Sequence, residues 1–224
     1  MCGIFGFIST AGEGPSIPRL RNLALVTQSR GMHAFGLAWA GRDGSIGTWK
    51  SPGAAHTHLD ELEACRTAVA MIGHCRFATH GHPEENSNNH PHAAHKGGVF
   101  VHNGVIRNDR ELVDEFDLAP ETSCDSEVFG MLLRQERGSP LDRAMMATSL
   151  IEGNLAILGL WANPVRLLVA RRGNPLHWGE GGRGLYFASL PKGLPGEIHE
   201  TRDGEHTLIT RRKNGCLKTA ARMP

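Results

Sequence analysis

Met1-Cys2-Gly3-Ile4-Phe5-Gly6-Phe7-Ile8 is the stretch of sequence that decides the fold. From Gly3 onward its residues are largely apolar and predict a strand. The cysteine directly follows the initiator methionine, and its small side chain permits removal of that methionine. Removal leaves a thiol and a free α-amine on one residue, and an amine that titrates near pH ~8 can take the thiol proton without a separate histidine. We therefore interpret Cys2 as an N-terminal nucleophile, with a plain buried cysteine as the alternative.

The bulk composition is that of an ordinary globular chain. Its 224 residues suffice for one substantial core or two small ones, and its formal net charge of +1 gives no reason to expect nucleic acid or an acidic membrane as partner. No stretch approaches the roughly 18 apolar residues of a membrane helix. The five cysteines are odd in number and lack Cys-x-x-Cys spacing, which favours a reducing compartment over a disulfide framework. We expect a cytoplasmic protein.

Hydrophobic periodicity predicts strands at both ends of the chain and helices between them. Strands are predicted for residues 3–8, 35–40, 45–50, 68–73 and 99–102. Helices are predicted for residues 15–30, 59–66, 108–116, 125 onward and 139–151. Residues 155–209 are predicted to form a series of short strands. Asn103-Gly104 is typical of a turn, and Asn108 with Glu111 resembles a capping box. We expect the last dozen residues to be a poorly ordered tail. This order favours an α+β domain of layered sheets over a βαβ repeat.

Four short motifs occur in a fixed order along the chain. They are Cys2-Gly3-Ile4-Phe5-Gly6, Gly73-His74-Cys75-Arg76-Phe77-Ala78-Thr79-His80-Gly81, His102-Asn103-Gly104-Val105-Ile106 and Cys124-Asp125-Ser126-Glu127-Val128. Together they resemble the class II glutamine amidotransferase domain, an N-terminal-nucleophile hydrolase. The likeness is closest to the glutaminase half of glucosamine-6-phosphate synthase, whereas the Asp-Ser-Glu form is closer to the amidophosphoribosyltransferase branch.

The resemblance implies a four-layer αββα fold with two stacked, mainly antiparallel sheets. It assigns residues 2–212 to a glutaminase domain and 213–224 to a C-terminal tail, with no synthase or acceptor domain. The implied reaction is hydrolysis of L-glutamine to glutamate and ammonia through a thioester on Cys2, without a cofactor. Such domains are usually fused to a synthase that consumes ammonia, whereas this sequence resembles the glutaminase part alone. We therefore expect the acceptor site on a separate subunit, with a free-standing glutaminase and a shortened chain as alternatives.

The resemblance also implies roles that the chemistry of the residues supports. Asn103 and Gly104 would donate hydrogen bonds to the oxyanion that forms during acyl transfer. Arg76 offers a planar fork for the α-carboxylate of glutamine, and Asp125 would take the α-ammonium. The resemblance places Phe77, Thr79 and His80 beside the substrate. Structural alternatives exist: Asn103-Gly104 is a turn dipeptide, Arg76 suits a surface ion pair and Asp125 suits a helix N-cap.

Seven histidines fall between positions 74 and 102 and raise the question of a metal site. His80 with His82, or His90 with His92, has a spacing compatible with two ligands on a strand. In the sequence no cysteine or carboxylate completes a recognisable ligand set, and the resembling family implies no metal here. We therefore predict no metal, and histidines that order the substrate pocket.

One segment departs from the family pattern. Where the family has Arg-Gly-x-Asp-Ser-x-Gly beside the nucleophile, this chain has Arg30-Gly31-Met32-His33-Ala34-Phe35-Gly36. Arg30 and Gly31 remain, so we expect a positive charge near Cys2 that favours the thiolate. The replaced Asp and Ser support an alternative function, a glutamine-binding or regulatory module with weak or no turnover. Hydrolysis of a different amide, as in penicillin-acylase relatives, is disfavoured because both partners for the charges of an amino acid remain.

Overall fold

The computed structural model describes residues 1–135, 137–212 and 215–223, and its strands form two sheets. The strands are β1 (Gly3–Ser9), β2 (Ala34–Ala40), β3 (Ile46–Pro52), β4 (Ala70–Arg76), β5 (His92–Ala93), β6 (Val99–Gly104), β7 (Leu155–Ala162), β8 (Val165–Arg172), β9 (His177–Gly181), β10 (Gly184–Ala188), β11 (Ile198–Glu200), β12 (His206–Arg211) and β13 (Leu217–Arg222). One sheet has the order β11-β9-β10-β1-β4-β2-β3 and the other β13-β12-β8-β7-β6-β5. Neighbouring strands in both sheets run antiparallel.

The α-helices are α1 (Ile17–Thr27), α2 (Asp109–Glu115), α3 (Ser126–Gln135) and α4 (Pro140–Leu150). Helix α4 begins where the sequence predicts, because Ser139 and Asp142 form a capping box and Pro140 occupies the first helical position. Short 3₁₀ helices lie at Gln28–Arg30, Ala55–Thr57, Leu59–Cys65, Asn86–Asn88 and His95–Gly97. Among the described residues, no helix is long and apolar enough to cross a membrane.

Three clusters of buried apolar side chains hold four layers together. Phe5 and Phe7 of β1 pack with α1 on the outer face of the first sheet. Ile4 and Ile8 point the other way, into the cluster between the two sheets. The third cluster joins the second sheet to α2, α3 and α4. The opening stretch of the sequence thus supplies two of the three clusters, and the four-layer αββα fold is confirmed.

Strand β1 lies in the interior of its sheet, between β10 and β4. Gly3 pairs with Cys75 in the register of β1 and β4. Because β4 continues one residue further to Arg76, Cys2 emerges at the end of the sheet next to Arg76 and the loop that follows it. That loop, from 77 to 91, is called the 77–91 loop below.

The predicted turn at Asn103-Gly104 is wrong. Both residues belong to β6, and Gly104 pairs with Leu155 of β7. A Cβ on Gly104 would lie 2.2 Å from the main-chain oxygen of Asn154, so close backbone approach requires glycine here. The dipeptide therefore ends a strand at a crowded point instead of reversing the chain.

The predicted capping box at Asn108 is also wrong. Its side-chain oxygen accepts the Glu152 N–H at 2.8 Å, and its amide donates to the Leu150 oxygen at 2.9 Å. These partners lie at the end of α4 and just beyond it, so tertiary contacts replace the local cap. In addition, the predicted helix at 59–66 is a 3₁₀ helix that ends at Cys65.

The C-terminal residues are more ordered than expected. Strand β13 pairs with β12 along six residues, from His206 opposite Arg222 to Arg211 opposite Leu217. The expectation of a poorly ordered tail is therefore wrong for β13, because the edge of β12 offers backbone hydrogen bonds to the returning chain. Positions 213, 214 and 224 of the expected tail lie outside the described residues.

Candidate active site

A cavity of about 410 Å³ opens where β1 begins and β6 ends. Cys2 lies on its wall, together with Phe77 and Thr79 of the 77–91 loop and with Asn103 and Gly104 of β6. The remaining wall residues are Met1, Val105, Arg107, Gly153, Asn154 and Asn174. The fold thus brings five of the sequence-predicted site residues to one cavity.

Three contacts fix Cys2 at this cavity. The Phe77 N–H donates to Cys2 Sγ at 3.3 Å, and the thiol lies 3.4 Å from the Phe77 oxygen. On the backbone side, Arg30 Nε donates to the Cys2 oxygen at 2.7 Å. A Cβ on Gly31 would lie 2.4 Å from the carbonyl carbon of Arg76, so Gly31 fits tightly against the end of β4 while Arg30 contacts the nucleophile.

The Cys2 thiol is protonated while Met1 is attached. Burial raises the pKa of the thiol above its usual 9.0, and the bond from Phe77, the N-terminal ammonium and Arg76 only partly offset that rise. Positive charges near Cys2 favour the thiolate, but the effect of burial on the pKa is larger in this form of the chain. Arg30 also binds the main chain of Cys2, and the thiol requires a base.

Asn103 carries the least satisfied polar group on the cavity wall. Its side chain is fully buried, and neither Nδ2 nor Oδ1 has a hydrogen-bond partner among the described residues. Leaving such a group unpaired costs on the order of 1–3 kcal/mol. A ligand oxygen in the cavity would satisfy Nδ2, so the arrangement is suited to an oxyanion donor.

Asn174 fixes Asn103 and is absent from the sequence prediction. Asn174 lies just after β8, and its Nδ2 donates to the main-chain oxygen of Asn103 at 2.7 Å. In the sequence, Asn174 precedes Pro175 and is typical of a turn. No local pattern connects it with a residue on β6, so only the sheet topology reveals the contact.

Arg76 lies buried beneath the 77–91 loop. Its Nη1 donates to Asn89 Oδ1 at 2.7 Å, and its Nη2 donates to the main-chain oxygens of Gly81, at 3.0 Å, and of His80. The guanidinium thus holds the loop, and it is not among the residues that line the cavity. Binding of the substrate α-carboxylate by Arg76 stays a prediction.

Asp125 joins two segments near the cavity. Its Oδ2 accepts the Ile106 N–H at 2.7 Å, and its Oδ1 lies 3.8 Å from His80 Nδ1. The carboxylate therefore connects the chain after β6 and the 77–91 loop to the start of α3. Neither Asp125 nor His80 is part of the described cavity wall, so their contact with substrate also stays a prediction.

Several histidines pack beneath the site in neutral form. The rings of His74 and His90 stack with centroids 4.0 Å apart, and His90 meets His92 at 4.5 Å. Burial lowers the pKa of His74 and of His92 to about 3. Because His74 Nε2 also lies 3.0 Å from the His102 oxygen, this cluster joins β4 to β6 beneath the nucleophile.

Cys124 lies beside His90 and His92 in the folded chain. The sequence did not indicate this proximity, because Cys124 is far from both histidines along the chain. The ligand atoms of the three residues lie within 4.8 Å of one another, and these residue types can hold a transition metal. However, burial is the largest cause of the lowered pKa of His92, and the nearby Lys50 ammonium is the second largest. That ammonium is held in place, because it donates a hydrogen bond to the main-chain oxygen of Asn89 at 2.6 Å. A fixed positive charge beside the cluster opposes a bound cation, and we propose no metal here.

A comparison with known families decides the family. A family model described as a glutamine amidotransferase domain matches residues 74–196, more than half of the chain. The chain belongs to this family. The match includes the 77–91 loop, Asn103, Gly104 and Asp125, and it confirms the resemblance carried by the four motifs.

Curated relatives are longer than this amidotransferase chain. It is 35% identical over 193 residues to glutamine–fructose-6-phosphate aminotransferase (isomerizing) of Leifsonia xyli, a match that covers 81% of the chain and 30% of the relative. The protein of the same name from Gloeobacter violaceus is 34% identical over 226 residues, with 94% and 36% covered. The chain thus spans about a third of the length of these relatives.

Solved structures share the fold of the amidotransferase chain. The glutamine phosphoribosylpyrophosphate amidotransferase of B. subtilis matches with a TM-score of 0.77 and 21% identity, covering 98% of this chain and 49% of that one. A glutamine aminotransferase class-II domain protein from Silicibacter pomeroyi matches with a TM-score of 0.62 and 18% identity, covering 99% of each chain. These likenesses confirm the N-terminal-nucleophile hydrolase fold.

Proposed function

We propose that this chain hydrolyses the side-chain amide of L-glutamine to glutamate and ammonia through a γ-glutamyl thioester on Cys2. One observation carries the proposal: the Cys2 thiol shares a single cavity with the buried amide of Asn103, which has no hydrogen-bond partner among the described residues. The names of the curated relatives support glutamine as the substrate. The reaction uses no cofactor in this proposal.

The chemistry begins with removal of Met1, because only then does Cys2 carry a free amine. The amine takes the thiol proton while Sγ attacks the amide carbon of glutamine, and the carbonyl oxygen becomes an oxyanion. We assign Asn103 Nδ2 and the Gly104 N–H as its donors. Collapse of this intermediate breaks the carbon–nitrogen bond. The α-ammonium of Cys2 gives its proton to the departing nitrogen, which leaves as ammonia. Water then attacks the thioester, which releases glutamate and restores the thiol.

Recognition of the amino-acid end of glutamine is assigned to the 77–91 loop and its supports. Arg76 takes the α-carboxylate and Asp125 the α-ammonium, while Phe77, Thr79 and His80 complete the pocket. Phe77 and Thr79 already line the cavity, which supports this assignment. Because Arg76 and Asp125 also bind the main chain around the site, substrate binding is coupled in this proposal to the position of the loop.

Ammonia passes, in this proposal, to an acceptor site on a separate domain or subunit. About two thirds of each curated relative lies outside the matched part, which supports an acceptor beyond residues 2–212. We assign residues 2–212 to the glutaminase unit, to whose second sheet β13 adds an edge strand. The five cysteines, odd in number and without Cys-x-x-Cys spacing, support a reducing, cytoplasmic location.

The test is ammonia release from Met1-free protein supplied with glutamine. We expect release from the wild-type chain, none from Cys2→Ala, and unchanged release from Cys216→Ala, which alters an exposed cysteine outside the cavity. Ammonia release that persists in Cys2→Ala would contradict the proposal. Glutamine binding without any release would instead favour the regulatory module.

A further inference from the structure

The segment that departs from the family pattern places one imidazole against the start of the 77–91 loop. We propose that His33 is a positioning residue, which holds this loop in the conformation that binds glutamine. The inference deepens the proposed glutaminase activity and rests on it. Three steps carry it: the main chain of His33 is fixed, its ring contacts the loop, and the contacted residue touches the nucleophile.

The main chain of His33 is fixed on both sides. Its N–H donates to the Arg76 oxygen at 2.9 Å, and its oxygen accepts the Gly53 N–H at 3.0 Å. The next residue, Ala34, opens β2 in register with Arg76. His33 therefore belongs to the rigid end of the first sheet, and its side chain projects from a defined point.

The ring of His33 contacts two successive residues of the loop. Its Nδ1 accepts the Ala78 N–H at 3.0 Å. The ring also stacks on Phe77, with centroids 4.9 Å apart and planes inclined by 26°. Together with the main-chain bond to Arg76, His33 holds the chain at each of the three residues where it leaves β4.

The contacted residue is also the neighbour of the nucleophile. Phe77 donates its N–H to Cys2 Sγ at 3.3 Å, so displacement of Phe77 moves an atom that touches the thiol. Phe77 lines the cavity that contains Cys2, and it also lines a second cavity of about 470 Å³ that His33 and Met32 border. Phe77 and Met1 border both cavities, whereas His33 borders only the second and Asn103 only the first, so His33 contacts Phe77 at the second cavity.

The hydrogen bond to Ala78 requires a particular form of the ring. Nδ1 accepts a hydrogen bond only through a free lone pair, so in this contact the ring carries its proton on Nε2. Asparagine presents Oδ1 at the same number of bonds from Cβ as Nδ1 and keeps the acceptor. Phenylalanine keeps an aromatic ring against Phe77 but has no acceptor. These two substitutions separate the hydrogen bond from the stacking.

The kinetic test compares four variants in Met1-free protein. We expect His33→Ala and His33→Phe to raise KM for glutamine by about three- to tenfold, the range of one lost hydrogen bond, with kcat less affected. His33→Asn should return KM to within about twofold of wild type. Met32→Ala is the matched control, because Met32 borders the same cavity without a hydrogen bond to the loop, and it should change neither constant. Equal KM values for His33→Asn and His33→Ala, or a wild-type KM for His33→Ala, would overturn the inference.

A second readout separates this inference from the proposed function. Amide hydrogen exchange of the peptide that contains Ala78 should be faster in His33→Ala than in wild type, and should return to the wild-type rate in His33→Asn. Faster exchange in a chain that releases no ammonia would contradict the glutaminase while supporting the positioning of the loop. Unchanged exchange in an active enzyme would overturn the role of His33 alone.

Discussion

The side-chain amide of Asn174 donates to the main-chain oxygen of Asn103 over 2.7 Å and ties the end of β6 to the segment after β8. The side chain of Asn103 has no such partner in the described part of the chain. Its direction is therefore set by its main chain, and Asn174 holds that main chain. The geometry of the proposed oxyanion donor thus depends on a residue far away in sequence.

Asn174→Ala is expected to lower kcat by about tenfold, because a donor displaced by even a fraction of an ångström stabilises the oxyanion less well. KM should change little, since Asn174 holds the donor and not the loop. The measurement is steady-state ammonia release, with Asn22→Ala on the exposed face of α1 as control. A wild-type kcat in Asn174→Ala would show that the bond is dispensable.

Asn103→Ala is expected to lower kcat by about 10²–10³, the usual effect of removing one oxyanion donor. The free energy of unfolding should fall by less than about 1 kcal/mol, because the deleted amide makes no hydrogen bond within the part of the chain that the structure describes. Denaturant unfolding and ammonia release measure the two effects on the same sample. Large losses of both stability and kcat would indicate a structural role for Asn103.

The reactivity of Cys2 should depend on pH and on Met1. Burial raises the pKa of the thiol above 9.0 in the chain that retains Met1. Alkylation by iodoacetamide should therefore be slow at neutral pH and should reach half its maximal rate only above pH 9.0, with Cys2→Ala giving the background. Met1-free protein should react at lower pH, because its amine can take the thiol proton. Half-maximal alkylation below pH 9.0 with Met1 attached would refute the effect of burial.

The buried histidines should make the fold sensitive to acid. The pKa of His74 and of His92 is lowered from 6.5 to about 3, so below pH 6.5 the unfolded chain binds protons that the folded chain does not. Stability is therefore present above pH 6.5 and is lost as the pH falls from there toward 3, by about 1 kcal/mol per pH unit for each histidine.

The measurement is denaturant unfolding between pH 6 and pH 4 (a range of about two units within the expected window). His92→Asn should reduce the slope of stability against pH, whereas His82→Asn, at an exposed position, should not. Identical slopes in the wild type and in His92→Asn would contradict the burial of a neutral imidazole at His92.

Much of the site could be predicted from the sequence because its chemistry depends on short motifs. Cys2 comes from one motif and Asn103 with Gly104 from another, and all three residues lie on one cavity wall. The largely apolar run from Gly3 likewise predicts a strand, and the structure buries both faces of β1. Such local patterns require no knowledge of which strands pair.

The remaining features depend on contacts between distant segments. The extension of β6 through Asn103 arises from pairing with β7, and the order of β13 arises from pairing with β12. The same holds for the side chains that support the site: Asn174 reaches Asn103 across the second sheet, and His33 reaches Ala78 from the end of the first. A turn or loop residue carries no sequence signal for such a partner, so topology had to be known first.

The most direct test of the central claim is the intact mass of Met1-free protein after incubation with 6-diazo-5-oxonorleucine, a glutamine analogue that alkylates a nucleophile in a glutamine site. The account predicts one adduct, located on Cys2 by peptide mapping, blocked by excess glutamine and absent in Cys2→Ala. An unmodified protein, or an adduct that persists in Cys2→Ala, would contradict the account.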